Sequence, residues 1–267
     1  MFRILLLCGL LVTSVSSFVF ATDSVKATLF DKPLHERHAP LPPDPLNPQA
    51  KATLSCYYYP RLMVKQVDLG EMGAAEITFT FIARNQQEPP CRQKDAEDEK
   101  VVDLNARACY FEGVKGDYVF FKSFDGTEGA WGFTVLDLSG SVIFDFAAVN
   151  IHSINLMLPI EDFDQRPWHT NPLTVRYQTA YLAPCSLRSD EVKCWNLIRE
   201  ATGLTDKTPP DCTAAYKDLE KRDPNQDPKE AAADPSVVRF EVEAVLDSRG
   251  VIRITPVSKA GACYPAD

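Results

Sequence analysis

The sequence predicts a mainly β protein: an antiparallel β-sandwich or partly open barrel of roughly ten short strands, with a small helical insert before the final hairpin. Three observations predict this class. Short runs that alternate apolar and polar residues, such as Ile77–Ile82, recur along most of the chain, and a period of two is typical of half-buried strands. Turn sequences separate these runs. A helical period occurs only in one region, late in the chain.

The predicted strands follow one another from the first third of the chain to its end. The strongest local signal is a hairpin, in which Asp137–Ser141 forms the turn between two β-rich runs. In the last long run, Val238 to Leu246, alternate apolar residues point inward and Arg239, Glu241 and Glu243 point outward. The full set of predicted strands is Tyr57–Val67, Ile77–Ile82, Ala108–Phe111, Tyr118–Phe121, Trp131–Leu138, Val142–Phe146, Ile151–Leu158, Leu173–Leu182, Val237–Leu246 and Val251–Thr255.

The helical insert is predicted over about 187–222. Its first helix opens with acidic residues at Ser189–Glu191, repeats apolar residues such as Trp195 and Ile198 at helical spacing, and stops at Gly203. A second, shorter helix is expected over Thr213–Lys221. Residues 222–235 are expected to form an exposed acidic loop. Their spacing partly fits an EF-hand, but Pro228 stands where such a loop requires Gly.

Composition excludes several classes of protein. The chain has 267 residues, of which 45% are hydrophobic, so it is neither disordered nor collagen-like. With 28 Lys and Arg against 37 Asp and Glu, the net charge is −9. An acidic chain without a basic stripe repels phosphate backbones, which excludes nucleic acid as the expected partner. Apart from the first residues, the apolar runs are strand-sized, so no membrane span is predicted.

The first 21 residues have the pattern of a secretory signal peptide. Arg3 is followed by the short apolar run Ile4–Val12, and Ala21 supplies the small residue before the expected cut. Cys8 follows a Leu, whereas lipid attachment requires a small residue there. The sequence has no Asn-x-Ser/Thr sequon, which favours a bacterial periplasm. The predicted location is therefore periplasmic or secreted.

After the signal peptide we expect two regions. Residues 22–51 are interpreted as an extended linker, because prolines keep the backbone extended and remove hydrogen-bond donors. Residues 52–267 are interpreted as the folded domain. The prolines of the linker are Pro33, Pro40, Pro42, Pro43, Pro45 and Pro48.

Seven cysteines remain once the signal peptide is removed, and in an oxidising compartment they predict three disulfides and one further thiol. The spacing contains no Cys-x-x-Cys pair and no neighbouring His, so neither a metal site nor a cofactor is predicted. The seventh cysteine is either buried and inert or joins two chains. The candidates are Cys56, Cys91, Cys109, Cys185, Cys194, Cys212 and Cys263.

Position along the chain favours three particular disulfides. Cys91 and Cys109 flank the charged loop Arg92–Lys100, so a bond between them would tether it. One bond is expected among Cys185, Cys194 and Cys212, which surround the insert. Cys56 and Cys263 could join the two ends of the domain, where a long loop gives the largest entropic effect.

The chain has four histidines, and their surroundings in the sequence predict different roles. His35 and His38 fall in the predicted linker and are expected to be solvated. His152 is expected to lie in the core, because simple alternation places it on one face with Ile154 and Leu156. His169 belongs to a loop that also holds three carboxylates and a Trp. This loop is the predicted ligand site, with Glu161, Asp162, Asp164, Trp168 and His169 as its candidate residues.

No catalytic motif is present: Gly-x-Ser-x-Gly and phosphate-binding glycine loops do not occur. In the run Tyr57–Tyr59, alternation directs the middle ring opposite to the other two, so at least one ring is expected to face outward. The sequence therefore favours an exported, non-catalytic binding protein of the bacterial envelope, with a protein or glycan partner. A hydrolase that attacks an envelope polysaccharide or peptide through loop carboxylates is the alternative. A small-molecule or metal carrier ranks third.

Overall fold

The structure, a computed structural model, describes residues 29–43, 47–70, 75–83, 86–94, 99–102, 109–123, 130–156, 172–247 and 249–264. Within these ranges it has fourteen strands and three helices, which confirms the predicted mainly β class with a helical insert before the final hairpin. The strands are β1 His35–Pro40, β2 Thr53–Tyr59, β3 Leu62–Asp68, β4 Ala75–Phe81, β5 Lys100–Val101, β6 Cys109–Lys115, β7 Tyr118–Ser123, β8 Trp131–Asp137, β9 Val142–Ala148, β10 Asn150–Leu156, β11 Leu173–Leu182, β12 Val237–Asp247, β13 Gly250–Pro256 and β14 Ala262–Tyr264. The helices are α1 Glu191–Thr202, α2 Thr213–Arg222 and α3 Pro228–Ala233.

The strands form three antiparallel sheets. Sheet I has the order β1-β2-β3-β4-β5, sheet II the order β6-β7-β8-β9, and sheet III the order β10-β11-β12-β13, with β14 also paired to β12. Within each sheet consecutive strands are mostly neighbours, and β11 and β12 remain neighbours although the helical insert separates them in sequence. The predicted hairpin is confirmed between β8 and β9, where the Asp137 N–H donates to the Ser141 carbonyl and Gly140 has a φ of 85°.

Sheet II is packed between the other two sheets. Along β7, Val119 and Phe121 belong to one core together with Val64 of sheet I, whereas Phe120 belongs to a second core together with Val175 of sheet III. Because successive side chains of a strand point to opposite faces, one strand serves both cores. The sandwich alternative of the prediction is therefore the one the chain adopts.

The insert packs on the same core as sheet III. In α1, Trp195 and Ile198 are buried. The Asp190 side chain accepts a hydrogen bond from the Lys193 N–H, and Gly203 ends the helix in the left-handed conformation, as the sequence predicts.

The insert extends further than predicted. Pro228–Ala233 is helix α3, so the prediction of a loop over 222–235 is wrong for these residues. The Asp227 side chain accepts a hydrogen bond from the Lys229 N–H. A proline in the first turn needs no hydrogen-bond donor there, which suits Pro228 to starting a helix rather than an EF-hand turn.

His152 is exposed, and the prediction of a core histidine is wrong. The pairing of β10 with β11 shifts register between Ile151 and Ser153. This bulge places Ile151 and Ile154 on the buried face and leaves His152 outside. There its Nε2 lies 2.8 Å from a carboxylate oxygen of Glu241.

The prediction of a linker does not hold for His35–Pro40, which form the edge strand β1. All six residues pair with β2. The neighbouring Pro33 and Pro42 lie outside the strand, and Pro40 is its last residue, which is where an edge strand accepts proline. Accordingly, His35 and His38 are strand residues and not linker residues, although their side chains are exposed to solvent as predicted.

The structure has three disulfides, Cys56–Cys91, Cys185–Cys194 and Cys212–Cys263. Cys109 takes part in none of them and is buried. The number of disulfides is the predicted one, and Cys185–Cys194 is the bond expected among the cysteines around the insert. The predicted bonds Cys91–Cys109 and Cys56–Cys263 are wrong.

The faces of sheet I explain why Cys91 and Cys109 do not meet. Cys109 belongs to the core between sheets I and II, whereas Cys91 packs against the opposite face of sheet I. Cys263 lies on β14 opposite Val238 of β12, which brings it beside the insert and its partner Cys212. Among the described residues, no helix is long and apolar enough to span a membrane.

Candidate functional site

The predicted ligand loop lies outside the described residues. Glu161, Asp162, Asp164, Trp168 and His169 all fall within 157–171. Their role stays a prediction from the sequence, and the site below is built from other residues.

The three consecutive tyrosines of β2 point to opposite faces of sheet I, as predicted. Tyr57 and Tyr59 lie on the face towards sheet II, with Val64 opposite Tyr57 in the register. Tyr58 is fully buried on the other face, where its hydroxyl donates to the Pro89 carbonyl at 2.8 Å. Of the three rings, only that of Tyr57 is partly exposed, and it faces sheet II. The expectation that one ring faces solvent is wrong, because both faces of sheet I are covered.

A cavity of about 190 Å³ opens beside these tyrosines, where the edges of sheets I and II meet. We call it the aromatic cleft. It is lined by Phe30, Asp31, Pro33, Glu36, Tyr57, Tyr59, Phe111, Glu112 and Gly113.

The rings around Phe111 form one wall of the aromatic cleft. The Phe111 centroid lies 4.8 Å from that of Tyr57 and 6.4 Å from that of Tyr59. The pairing of β6 with β7 shifts register between Phe111 and Gly113, so Glu112 is the extra residue of a bulge on an edge strand. The bulge explains how a carboxylate and a core phenyl ring, adjacent in sequence, both reach this cavity.

The segment before β1 holds the cleft together. The Asp31 N–H donates to the Val114 carbonyl at 2.8 Å, and the Asp31 carboxylate accepts from the Gly116 N–H at 2.7 Å and pairs with Lys115 at 3.0 Å. Phe30 packs on Phe120, with centroids 5.4 Å apart. The segment thus covers the edge of β6 and joins sheets I and II.

A second cavity of about 370 Å³ lies next to the aromatic cleft and shares Asp31 and Tyr59 with it. Its lining also includes Lys32, Leu34, Arg61, Asp117 and Leu138. Arg61 and Asp117 form an ion pair across it. Acidic and basic side chains therefore both line this cavity, whereas the charged residues that line the aromatic cleft are all acidic.

The aromatic cleft is acidic. Asp31, Glu36 and Glu112 contribute carboxylates, and none of its nine described lining residues is Lys, Arg or His. Burial raises the pKa of Glu112, and the nearby Lys122 acts in the opposite direction. Burial also raises the pKa of Tyr57 and of Tyr59. Both tyrosines therefore keep their hydroxyl protons at neutral pH.

His38 stands at the rim of the cleft between Ser55 and Glu36. Its Nδ1 lies 2.9 Å from Ser55 Oγ, and its Nε2 lies 3.1 Å from a Glu36 carboxylate oxygen. The order serine, histidine, acid matches that of a hydrolytic triad. However, β2 is paired with β1 on one side and with β3 on the other, so the N–H groups around Ser55 are engaged in the sheet and offer no oxyanion hole. The contacts of His38 with Ser55 and Glu36 hold the Glu36 carboxylate in position at the rim of the cleft.

A third cavity, of about 440 Å³, lies in the helical insert between α1 and α2. Its charged residues include Arg188, Lys217, Glu191 and Glu220, and Arg188 pairs with Glu220 at 2.6 Å. Asp211 adds a third carboxylate, so acidic side chains outnumber basic ones by three to two. With both signs present and no aromatic wall like that of the aromatic cleft, this cavity favours a cation only weakly.

The sequence carries a signal for only part of the aromatic cleft. The tyrosine run is apparent in it, but Glu36 falls in the expected linker and Glu112 reaches the site only through a bulge. The described residues contain no group of three or more His, Cys, Asp or Glu side chains placed to hold a metal ion. No protein-family model, curated protein or solved structure matches the chain.

Proposed function

We propose that the chain is an exported, non-catalytic binding protein of the bacterial envelope, periplasmic or secreted, whose aromatic cleft holds a cationic group of a protein partner. The supporting observation is the joint presence of three acidic residues and the rings of Tyr57, Tyr59 and Phe111 around one cavity. Asp31 already pairs with Lys115, so Glu36 and Glu112 supply the charge for a ligand. Aromatic faces and carboxylates both attract a cation, and a side-chain ammonium or guanidinium fits a small cavity. The net charge of −9 attracts such a partner at longer range.

Export is supported by the disulfides. Three disulfides fit an oxidising compartment better than the cytosol. Expression of the full-length chain in a bacterium, followed by fractionation and N-terminal sequencing, tests this part. We expect the periplasmic or secreted protein to begin at Thr22. A chain that retains residues 1–21 in the cytosol contradicts export.

Binding is tested by calorimetry with a lysine-rich peptide and, as a competitor, a tetraalkylammonium ion. Tyr57→Ala removes one ring and Glu36→Gln one charge. We expect each to weaken binding by about 0.5–2 kcal/mol, with a stronger effect at low salt for Glu36→Gln. Glu243→Gln, which alters an exposed pair with Arg176 on sheet III, is the control and keeps full affinity.

Two results decide against this assignment. Equal affinity of Tyr57→Ala and the unchanged chain places any binding elsewhere, and a preference for neutral oligosaccharides over the peptide indicates a glycan partner instead. The hydrolase alternative depends on Glu161 and Asp164, outside the described residues. The described side chains add no support for it.

A further inference from the structure

A lysine and a glutamate meet in the interior on the side of sheet I away from sheet II. Lys65 lies on β3 and its side chain is 1% exposed; Glu99 immediately precedes β5 and its side chain is 2% exposed. Lys65 Nζ pairs directly with Glu99 Oε2. Residues 86–94 cover this face of the sheet, where the Pro89 carbonyl accepts from Tyr58 and Cys91 bonds to Cys56. We call residues 86–94, together with the described residues 99–102 that follow them, the strap.

The surroundings of this pair combine apolar and hydroxyl side chains, the latter from Thr78 and Thr80 of β4. On β2 and β3 the same face carries Leu54, Tyr58, Met63 and Val67, all buried. Removing an ammonium and a carboxylate from water costs several kcal/mol for each ion, and their attraction repays this only where the geometry is good and further hydrogen bonds are made. The reactive forms for condensation are the amine and the carboxylic acid, which differ from the ion pair by the passage of one proton between the two groups.

We propose that Lys65 and Glu99 are joined by an intramolecular amide bond. The Lys65 amine attacks the Glu99 carboxyl carbon, so that a bond between Nζ and Cδ forms and one C–O bond breaks. The hydroxyl that leaves takes a proton from the attacking nitrogen and departs as water. No oxidant, reductant or activating group is consumed, because ammonium plus carboxylate balances amide plus water.

Thr78 is placed to assist this step. It lies opposite Lys65 in the register of β3 and β4, and its hydroxyl donates to Glu99 Oε2 at 3.3 Å. Oε2 also pairs with Lys65 Nζ, so it is the oxygen that takes the proton and leaves, and a donor at this oxygen assists its departure as water. The sheet also holds the two reacting groups together, and such positioning corresponds to effective concentrations of about 10⁵ M and above.

The bond would give the strap a second covalent attachment. The first is Cys56–Cys91, and Cys56 is the cross-strand neighbour of Lys65 on β2. An amide resists reductants, whereas a disulfide does not. The strap would therefore remain closed over sheet I after the disulfide is reduced.

Mass spectrometry of the purified chain, reduced and alkylated, tests the proposal. We expect a mass one water molecule below that calculated for the alkylated mature chain, and a branched proteolytic peptide that contains both Lys65 and Glu99. Lys65→Arg and Glu99→Ala each restore the full mass. Lys100→Ala, which alters the exposed residue next to Glu99, keeps the loss and is the matched control.

Each other outcome overturns the amide. A full mass for the unchanged chain shows that the two side chains form an ordinary ion pair. A loss of water that tandem spectra assign to another position, such as a cyclised aspartate, does the same. Because the deciding measurement is made on the unchanged chain, a variant that fails to fold leaves the result valid.

Discussion

Cys56 and Cys91 fasten the strap to the face of sheet I that lies away from sheet II, with Cα atoms 5.9 Å apart. The Tyr58 hydroxyl and the pair of His35 with Glu88, whose nitrogen and oxygen are 2.9 Å apart, hold the same segment. Sheet I is therefore covered on both faces, which explains why successive residues of β3 are buried.

Replacing Cys91 by Ala should destabilise the fold through the loss of this tether. The disulfide closes a loop with a sequence separation of 35, and a loop of that length corresponds to about 3–4 kcal/mol in the chain-entropy account. Urea unfolding followed by fluorescence measures the change. An amide between Lys65 and Glu99 closes much of the same loop, so the loss should be larger in a Lys65→Arg background.

The double variant of Cys185 and Cys194 is the matched control. That disulfide has a sequence separation of only 9, for which about 2–3 kcal/mol is expected. An unchanged unfolding midpoint for Cys91→Ala would show that the strap is held without its disulfide.

The sequence predicts the class of fold because alternation and turn chemistry are local. The β8–β9 hairpin needs only Gly140 and the residues on either side, and α1 needs only its cap, its apolar period and Gly203. The prediction for His152 is wrong because β10 contains a bulge. A bulge shifts the alternation of the residues that follow it in the strand, and the sequence pattern does not show where one occurs.

The candidate site could be predicted only in part, because non-local pairing builds it. Glu36 lies beside Tyr57 only because β1 pairs with β2. The composition of residues 22–51, with its many prolines, predicts a linker there. The positions of Cys91 and Cys109 on either side of a charged loop predict a bond between them, but they lie on opposite faces of sheet I. Which face a loop covers is decided by packing across the whole sheet, and one sequence carries no signal for it.

Gly113→Ala should loosen the segment before β1. A Cβ at Gly113 would overlap the ring of Phe30, its nearest neighbour. Overpacking of this kind costs about 1–3 kcal/mol. We expect a lower melting temperature and faster proteolysis near residue 30, both measurable on the purified chain.

A double-mutant cycle identifies the cause. With Phe30→Ala as background, Gly113→Ala should cost less, because the ring that it displaces is absent. Equal costs in the two backgrounds would mean that Phe30 does not occupy this position. Gly140→Ala offers a comparison, since a Cβ there meets nothing within 4 Å but would be strained by a φ of 85°.

Asp190→Ala should weaken α1 by removing its N-terminal cap. The Asp190 carboxylate accepts the Lys193 N–H at 3.2 Å, and loss of such a cap typically costs about 1 kcal/mol. Urea unfolding measures the loss, and Asp190→Asn, which can still accept the bond, should recover most of it. The same loss in Asp190→Asn would assign the effect to charge instead of the hydrogen bond.

Tyr177 should make the fold less stable in alkali. It is 4% exposed in the core against Phe146, with centroids 4.6 Å apart, and burial raises its pKa to about 12. An unfolded tyrosine loses its proton near pH 10, so above that pH the unfolded chain binds fewer protons than the folded one. The contribution, about 2–3 kcal/mol at most, is present below pH 10 and is lost as pH rises towards 12.

Urea unfolding at about pH 9 and pH 11 measures this dependence. Tyr177→Phe keeps the ring in the core and removes the ionisable group, so stability should fall less between the two pH values. Tyr59, whose pKa burial also raises, accounts for part of the remaining slope, and Tyr59→Phe should reduce it further. Equal losses of stability for Tyr177→Phe and the unchanged chain over this range would contradict the prediction. They would mean that the Tyr177 hydroxyl ionises in the folded state near its ordinary pKa.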